Sequence, residues 1–137
     1  MHIDEFKLEN TDEVIDLWSR CGLLAPQNDP KKDIERKMKV DPDLFLVLKE
    51  EGKIIGSVMG GYEGHRGWIN YLAVDPKSRR CGVARKLMTE VEQRLIKKGC
   101  PKINLQVRES NLEVLAFYDK IGYSTDKVVS LGKRLRS

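Results

Sequence analysis

The stretch from Gly67 to Glu90 constrains the fold most, because a short apolar segment, a turn, a basic loop and an amphipathic helix follow one another within it. The segment Trp68–Val74 is rich in aromatic and β-branched residues, which is typical of a strand. Asp75-Pro76 ends this strand, since proline lacks the N–H that a strand ladder uses. A helix running to about Lys98 is then predicted by an apolar stripe, formed by Ala84, Leu87, Met88, Val91 and Leu95.

The loop between this strand and this helix has the features of a phosphate-binding site. The first N–H groups of a helix lack intrahelical partners and carry partial positive charge, so a helix N-terminus binds phosphate readily. Gly82 and the small Ala84 would let a diphosphate approach the main chain closely. The surrounding positive charge comes from Lys77, Arg79, Arg80, Arg85 and Lys86. The alternative interpretation is a solvated basic loop before an ordinary helix.

Two common nucleotide-binding motifs do not fit this loop. A P-loop requires Gly-x-x-x-x-Gly-Lys-Ser/Thr, and the sequence contains no such string. A dinucleotide fingerprint requires three spaced glycines in an early βαβ unit. Here the loop holds a single glycine, Gly82, and lies beyond the middle of the chain.

Size and composition indicate one domain, residues 1–137, without a metal site. A chain of 137 residues suits a single domain. The net charge of +4 is mild and comes largely from the basic loop and the tail Lys133–Arg136, so it does not favour nucleic acid as a partner. Cys21, Cys81 and Cys100 are odd in number and scattered, which favours reduced thiols in a cytoplasm over a disulfide framework or zinc. No signal peptide and no apolar run of the ~20 residues that span a membrane is visible.

Local patterns predict the elements on either side of the central stretch. Before it, we expect a strand at Ile3–Leu8, a helix opened by a capping box at Asn10 and Glu13, and a charged helix that starts at Asp29-Pro30. Asp41-Pro42 ends that charged helix. Two strands, residues 44–48 and 54–61, then form an antiparallel pair.

After the central stretch, we expect another strand, a helix and a hairpin. The strand Ile103–Val107 should be the parallel neighbour of Trp68–Val74, because a strand–helix–strand crossover is right-handed. The helix Asn111–Lys120 should turn Leu112, Leu115 and Ala116 inward. Residues 123–124 and 128–131 are predicted to form a final hairpin.

The string Arg79-x-x-Gly82-x-Ala84 resembles the Arg/Gln-x-x-Gly-x-Gly/Ala signature of the GNAT superfamily of acyl-CoA N-acyltransferases. The element order resembles this superfamily over nearly the whole chain. Residues 61–67 and 99–103 are similar to the YpeA-type bacterial acetyltransferases. The resemblance implies an α/β (α+β) fold with a mixed, mostly antiparallel central sheet. In that fold one parallel strand pair splays apart, and helices cover both faces of the sheet.

The resemblance also implies that acetyl-CoA is the acyl donor and that no metal is needed. In the family the loop amides hold the pyrophosphate, and the pantetheine arm lies between the splayed strands. One N–H of Leu72, Ala73 or Val74 in the central strand would stabilise the oxyanion of a tetrahedral intermediate. The alternative is that these three residues are buried and only pair with a neighbouring strand. The family positions that bind the donor correspond to Leu72, Ala73, Val74, Arg79, Arg80, Cys81, Gly82, Val83, Ala84, Arg85, Asn111 and Tyr118.

Tyr118 falls at the family position that protonates the leaving thiolate. A phenol of pKa ~10 within hydrogen-bond reach can donate a proton to the sulfur of the leaving thiolate, whose thiol has a pKa of ~8.5, as the C–S bond breaks. The alternatives are a packing tyrosine at the core edge and a water as the acid. Asn111 would contact the cofactor arm, cap the helix, or do both.

The sequence does not assign the general base of this site to one residue. Some relatives carry a glutamate on the strand that matches Ile103–Val107, but this chain has Gln106 there, and an amide cannot act as that base. Glu63 and His65 are the remaining candidates nearby, since histidine titrates near neutral pH and Glu63 could act through water. Each could instead be a polar loop residue, and a substrate that arrives as a free amine needs no base.

The sequence thus predicts a cytoplasmic bacterial N-acetyltransferase that moves an acetyl group from acetyl-CoA to a primary amine by direct attack. The alternative from another class is a non-catalytic acyl-CoA-binding or sensing module on the same fold. A weaker alternative is a nucleic-acid binder that uses the basic loop and tail. Open acceptors are a protein N-terminus, lysine, polyamine, amino acid or drug. We expect no membrane partner, and a homodimer by family analogy only.

Overall fold

The computed structural model describes residues 1–135, so Arg136, in the basic tail, lies outside the described residues. The chain divides into two compact units, Met1–Leu105 and Gln106–Ser137. None of the helices within residues 1–135 combines the length and the apolar character that crossing a membrane requires.

The first unit is built on a five-stranded sheet in the order β1-β2-β3-β4-β5. Its neighbouring strands are antiparallel except for β4 and β5, which are parallel. The prediction of a mixed, mostly antiparallel sheet with one parallel pair is therefore confirmed. The strands are β1 (His2–Glu5), β2 (Phe45–Glu50), β3 (Lys53–Tyr62), β4 (Gly67–Val74) and β5 (Ile103–Leu105).

Helices lie on both faces of this sheet. On one face α1 (Thr11–Arg20) and α2 (Pro30–Lys37) pack with the sheet around Trp18 and Phe45, both fully buried. The other face carries α3 (Val83–Lys97). There β3 is glycine-rich, and a Cβ added at Gly56 would lie only 2.7 Å from the Val83 side chain. The absent side chain lets the N-terminal end of α3 rest directly on β3.

Local sequence signals predicted the start of one helix correctly and the start of another wrongly. Asp29 caps α2 as predicted, because its carboxylate accepts the N–H of Lys31 at 3.1 Å and of Lys32 at 3.3 Å. The predicted capping box at Asn10 and Glu13 is wrong. A 3₁₀ turn, Leu8–Asn10, runs straight into α1, so the Asn10 side chain turns back to accept the N–H of Lys7.

The Glu13 side chain is used elsewhere. Its carboxylate accepts the N–H of Ile54 on β3 at 2.8 Å, a partner far away in the sequence.

Two strands are also shorter than predicted. The first strand ends at Glu5 instead of Leu8, and β5 ends at Leu105 instead of Val107.

The second unit contains α4 (Leu112–Lys120), which Asn111 caps by accepting the N–H of Val114 at 3.3 Å. The predicted inward stripe is wrong. Leu112 and Leu115 are exposed, whereas Tyr118 is buried.

The predicted final hairpin is also wrong, since no strand occurs within the described part of this unit, residues 106–135. Its apolar residues Val128, Val129 and Leu131 are between 77% and 90% exposed. A short hairpin gains stability chiefly by packing one face, so residues this exposed do not stabilise one.

Candidate active site

The centre of β4 carries a bulge. Ser57 on β3 pairs with Ala73, and two residues later Met59 pairs with Asn70, so β4 has one residue more than its partner at this point. Tyr71, within the bulge, has φ 52°, which is the left-handed region. Such a conformation costs roughly 1–3 kcal/mol in a residue other than glycine, and it persists only where surrounding contacts hold it.

The segment Leu72–Val74 begins in the bulge, and its last two residues are paired on one side. Val74 and Ala73 pair with Gly56 and Ser57 of β3. On the other side, within the described residues, the parallel ladder to β5 joins only residues 67–69 of β4 to Ile103–Leu105. The ladder thus ends before Leu72, which is the arrangement that a pair of splayed strands requires.

The turn after β4 is fixed from α1. Asp75 accepts the N–H of Lys77 at 3.0 Å, and Arg20 donates to its carboxylate at 2.6 Å. The hydrogen bond from Arg20, with that from Lys77, lowers the pKa of Asp75 below its ordinary value. The turn is therefore anchored by an ionised carboxylate immediately before the basic loop.

The basic loop ends at a left-handed glycine. Arg79 lies against the end of β4, its Nε 3.4 Å from the carbonyl oxygen of Val74. Arg80 and Gly82 have φ 67° and 79°, and the intervening Cys81 is exposed. Among residues 1–135, no atom outside Gly82 and its two chain neighbours lies within 4 Å of the point where a Cβ of Gly82 would stand, so the main chain is open to solvent there.

The start of α3 is electrostatically unusual. Its first backbone bond runs from the N–H of Lys86 to the carbonyl oxygen of Gly82 at 3.0 Å, so the N–H groups of Val83, Ala84 and Arg85 precede the ladder. Gly82 is the N-cap and has no side chain to cap them. Helices usually favour acidic residues in the first turn, but α3 has none there and instead carries Arg85 and Lys86. This end of the helix is therefore suited to an anion supplied from outside the chain.

In the second unit Tyr118 is 7% exposed and forms edge-on ring contacts with Phe117 and Tyr123. Burial raises the pKa of Tyr118 to about 12. The phenol is consequently protonated at neutral pH, as a proton donor must be. Asn111 performs the helix-capping role described above.

The candidate bases Glu63 and His65 lie together in the β3–β4 loop, and both are exposed. The Glu63 carboxylate accepts the backbone N–H of Arg66 and, at 2.5 Å, that of His65. The bond from Arg66 has the larger effect, and both bonds lower the pKa of the Glu63 carboxyl below its ordinary value. Glu63 is therefore a weaker base.

The loop is also distant from Leu72 along β4. The loop ends just before Gly67, and Gly67 is five residues from Leu72 along the strand. At ~3.3 Å per residue, the separation between Gly67 and Leu72 is about 16 Å. Gln106, at the place where some relatives carry a glutamate, donates to the Ser130 hydroxyl within the second unit. Among residues 1–135, no group of three or more His, Cys, Asp or Glu side chains is placed to hold a metal ion.

A set of contacts around the bulge was not predicted from the sequence. Trp18 donates its indole N–H to the Ser57 hydroxyl at 2.9 Å, and that hydroxyl donates to the Tyr71 carbonyl oxygen at 3.0 Å. The Tyr71 ring stacks on Trp18 with centroids 3.8 Å apart, and its hydroxyl donates to Asp33 at 2.8 Å. We refer to Trp18, Asp33, Ser57 and Tyr71 as the Tyr71 cluster. These residues lie on four different elements, so no local motif could have revealed them.

Comparison with known proteins gives a consistent result. The model of the Acetyltransferase (GNAT) family matches residues 11–123. A protein of Pectobacterium atrosepticum described as an acetyltransferase is 53% identical over 135 residues, which cover 98% of this chain and 96% of that protein.

Solved structures share the fold at lower sequence identity. Naa20 from Chaetomium thermophilum, in complex with a bisubstrate analogue, has a TM-score of 0.74 and 24% identity, over 90% of this chain and 71% of that one. An aminoglycoside acetyltransferase from an uncultured soil metagenomic sample has a TM-score of 0.79 and 22% identity, over 98% and 96%. With its central bulged strand, its parallel pair and the matched family model, this chain belongs to the GNAT family of acetyltransferases.

Proposed function

We propose that this acetyltransferase is a cytoplasmic bacterial enzyme that transfers the acetyl group of acetyl-CoA to the nitrogen of a primary amine. The observation that carries the proposal is the start of α3. There a left-handed glycine leaves the main chain open, three N–H groups precede the helical ladder, and the first turn carries cationic instead of acidic residues. A diphosphate supplies the negative charge that this helix start lacks.

The donor would lie along two adjoining segments of the first unit. Its pyrophosphate would meet the N–H groups of the loop and helix start, residues 81–85, with Arg79 and Arg80 beside it. The pantetheine arm would extend along Leu72–Val74, on the side where the ladder to β5 has ended. From the second unit, the family resemblance assigns Asn111 and Tyr118 to the same ligand.

The reaction is a direct acyl transfer. The lone pair of a neutral amine forms a C–N bond to the thioester carbonyl carbon, and the C=O π electrons move to oxygen. One N–H of Leu72–Val74 stabilises that oxyanion. When the carbonyl re-forms, the C–S bond breaks and its electron pair leaves with sulfur.

The leaving thiolate takes the proton of Tyr118, and the nitrogen gives up its own proton to water or a base. Tyr118 then regains a proton from solvent.

Glu63 and His65 are still the candidate bases of this chain, and each would act through water. Their distance from Leu72 and the lowered pKa of Glu63 favour instead an amine that arrives neutral.

Donor binding should be strongly salt-dependent, because coenzyme A is polyanionic and exposed charge interactions weaken with ionic strength. We expect Arg79→Ala with Arg80→Ala to flatten the decline of coenzyme A affinity with added salt, measured by calorimetry from low to physiological ionic strength. The matched control is Lys31→Ala with Lys32→Ala, which removes two exposed cations from α2 and should leave the slope unchanged. Equal slopes in all three proteins would identify the loop as a solvated basic face.

A further inference from the structure

Tyr71 is held in its left-handed conformation from three directions. Its ring stacks on Trp18 of α1, its hydroxyl donates to Asp33 of α2, and its carbonyl oxygen accepts from Ser57 of β3. Ser57 is fully buried, so its two hydrogen bonds are shielded from water. Strained backbone conformations concentrate where function needs them, and the contacts that maintain them are then part of the mechanism.

The bulge changes what the residues after it face. Before it, Trp68 and Asn70 are exposed, while Ile69 between them is buried. Ile69 pairs with Gly60, where an added Cβ would meet Val91 of α3, whereas Tyr71 within the bulge and Ala73 after it pack with the core cluster that contains Trp18, on the opposite face. One extra residue in a strand re-aims the groups that follow. Leu72 follows Tyr71 within the bulge, so the direction of the Leu72 N–H depends on how Tyr71 is held.

We propose that Tyr71 is a positioning residue for acyl transfer, whose contacts with Trp18 and Asp33 hold the β4 bulge so that the N–H groups of Leu72–Val74 meet the acyl oxygen. This inference rests on the function proposed above. It assigns to α2 a part in donor geometry, transmitted through the bond between Asp33 and Tyr71.

The attachment of α2 makes this bond important. Ile34 is the buried side chain of this helix, and the polar links from α2 to the sheet include Asp33 to Tyr71 and Lys37 to the Gly60 carbonyl oxygen. The pKa of the Tyr71 hydroxyl is raised above its ordinary value, mainly by burial and to a smaller extent by the hydrogen bond to Asp33. The phenol therefore remains a hydrogen-bond donor throughout the range in which the enzyme can be assayed.

The test uses amide chemical shifts of the full-length ¹⁵N-labelled protein, which need no knowledge of the acceptor. Acetyl-CoA and coenzyme A differ in the acyl group, so in the parent their spectra should differ at the amides of Leu72, Ala73 or Val74. In Tyr71→Phe, which keeps the ring on Trp18, we expect this difference to fall by at least half. The shifts that coenzyme A itself causes at Val83 and Ala84 should persist.

Turnover should follow the same pattern once an acceptor amine is in hand. We expect Tyr71→Phe to lower kcat about tenfold, a change of ~1.4 kcal/mol in the barrier, with the Kd of coenzyme A unchanged. Asp33→Ala should have the same effect, and the double variant should lose no more than either alone, because both remove one interaction.

Two controls separate positioning from simple stability. Arg36 forms an ion pair with Asp33 at 2.5 Å on the exposed side of α2. Arg36→Ala removes this ion pair but keeps the bond from Tyr71 to Asp33, so its acyl-dependent shifts and its kcat should match those of the parent. Asp33→Asn keeps a hydrogen-bond acceptor for Tyr71 and should restore most of the acyl-dependent shift.

Two results would overturn the inference in different ways. If the parent shows acyl-dependent shifts at residues 72–74 and Tyr71→Phe shows the same shifts and the same kcat, Tyr71 is a packing residue only. If the parent binds neither acetyl-CoA nor coenzyme A, the proposed function fails, and this inference fails with it.

Discussion

Tyr118→Phe should keep the affinity of the parent enzyme for acetyl-CoA and lose most of its turnover. The substitution removes one hydroxyl from a side chain that is 7% exposed and leaves the ring in contact with Phe117 and Tyr123. Loss of a positioned general acid typically costs ~10²–10⁴-fold in rate. We expect this loss in kcat, as for an interaction made mainly in the transition state. Steady-state kinetics with one amine, together with calorimetry of acetyl-CoA binding, measure both quantities.

The pH dependence sharpens this prediction. For a phenol of ordinary pKa ~10, the acid would be lost as the pH rises through 10, and the parent would show an alkaline decline. Burial raises the pKa of Tyr118 to about 12, so the phenol stays protonated below that pH. Parent and variant should therefore differ by a constant factor across the accessible alkaline range.

A matched control is Tyr123→Phe, which removes the hydroxyl from the ring packed against Tyr118. We expect that variant to retain at least half of the parent's kcat. Should Tyr118→Phe turn over like the parent at every pH, Tyr118 is a packing residue, and a water or the substrate supplies the proton.

Gly82→Val should weaken the binding of coenzyme A tenfold or more, which is ~1.4 kcal/mol or more. Gly82 has φ 79°, which a β-branched residue adopts only with strain, and its open side is where we place the pyrophosphate. The valine side chain would occupy that space. Calorimetric titration with coenzyme A gives the affinity, and a thermal melt gives the stability of the same sample.

Strain and exclusion of the ligand can be separated at the other end of the same helix. Gly99 lies just after α3 with φ 85°, and within the described part of the chain no atom beyond its two chain neighbours would lie within 4 Å of a Cβ there. Gly99→Val should therefore lower the melting temperature about as much as Gly82→Val does, while coenzyme A binding is kept. Equal affinity in both variants and the parent would remove the phosphate site from the start of α3.

The parts of the fold that were predictable have local causes. The strand β4, the turn at Asp75-Pro76 and the helix α3 each follow from a pattern within a short window, and the parallel pairing of β4 with β5 follows from the crossover between them. Asp29 caps α2 because its own neighbours supply the N–H donors.

What could not be predicted depends on partners distant in the sequence. Glu13 has the right spacing for a capping box, but the N–H of Ile54 takes its carboxylate. The bulge at Tyr71 has no glycine to mark it, and contacts from Trp18, Asp33 and Ser57 hold it. Residue type alone indicates Glu63 and His65 as bases, and only the structure shows that the carboxylate of Glu63 is bonded to its own loop.

The most direct test of the proposed function is product analysis of the parent enzyme with acetyl-CoA and a panel of amines. The panel would hold a peptide with a free N-terminus, a lysine peptide, a polyamine, an amino acid and an aminoglycoside. We predict amine-dependent release of free thiol, with one N-acetylated product molecule found by mass spectrometry for each thiol released. Tight binding of acetyl-CoA without transfer to any of these amines would contradict the proposal and identify a non-catalytic acyl-CoA-binding module.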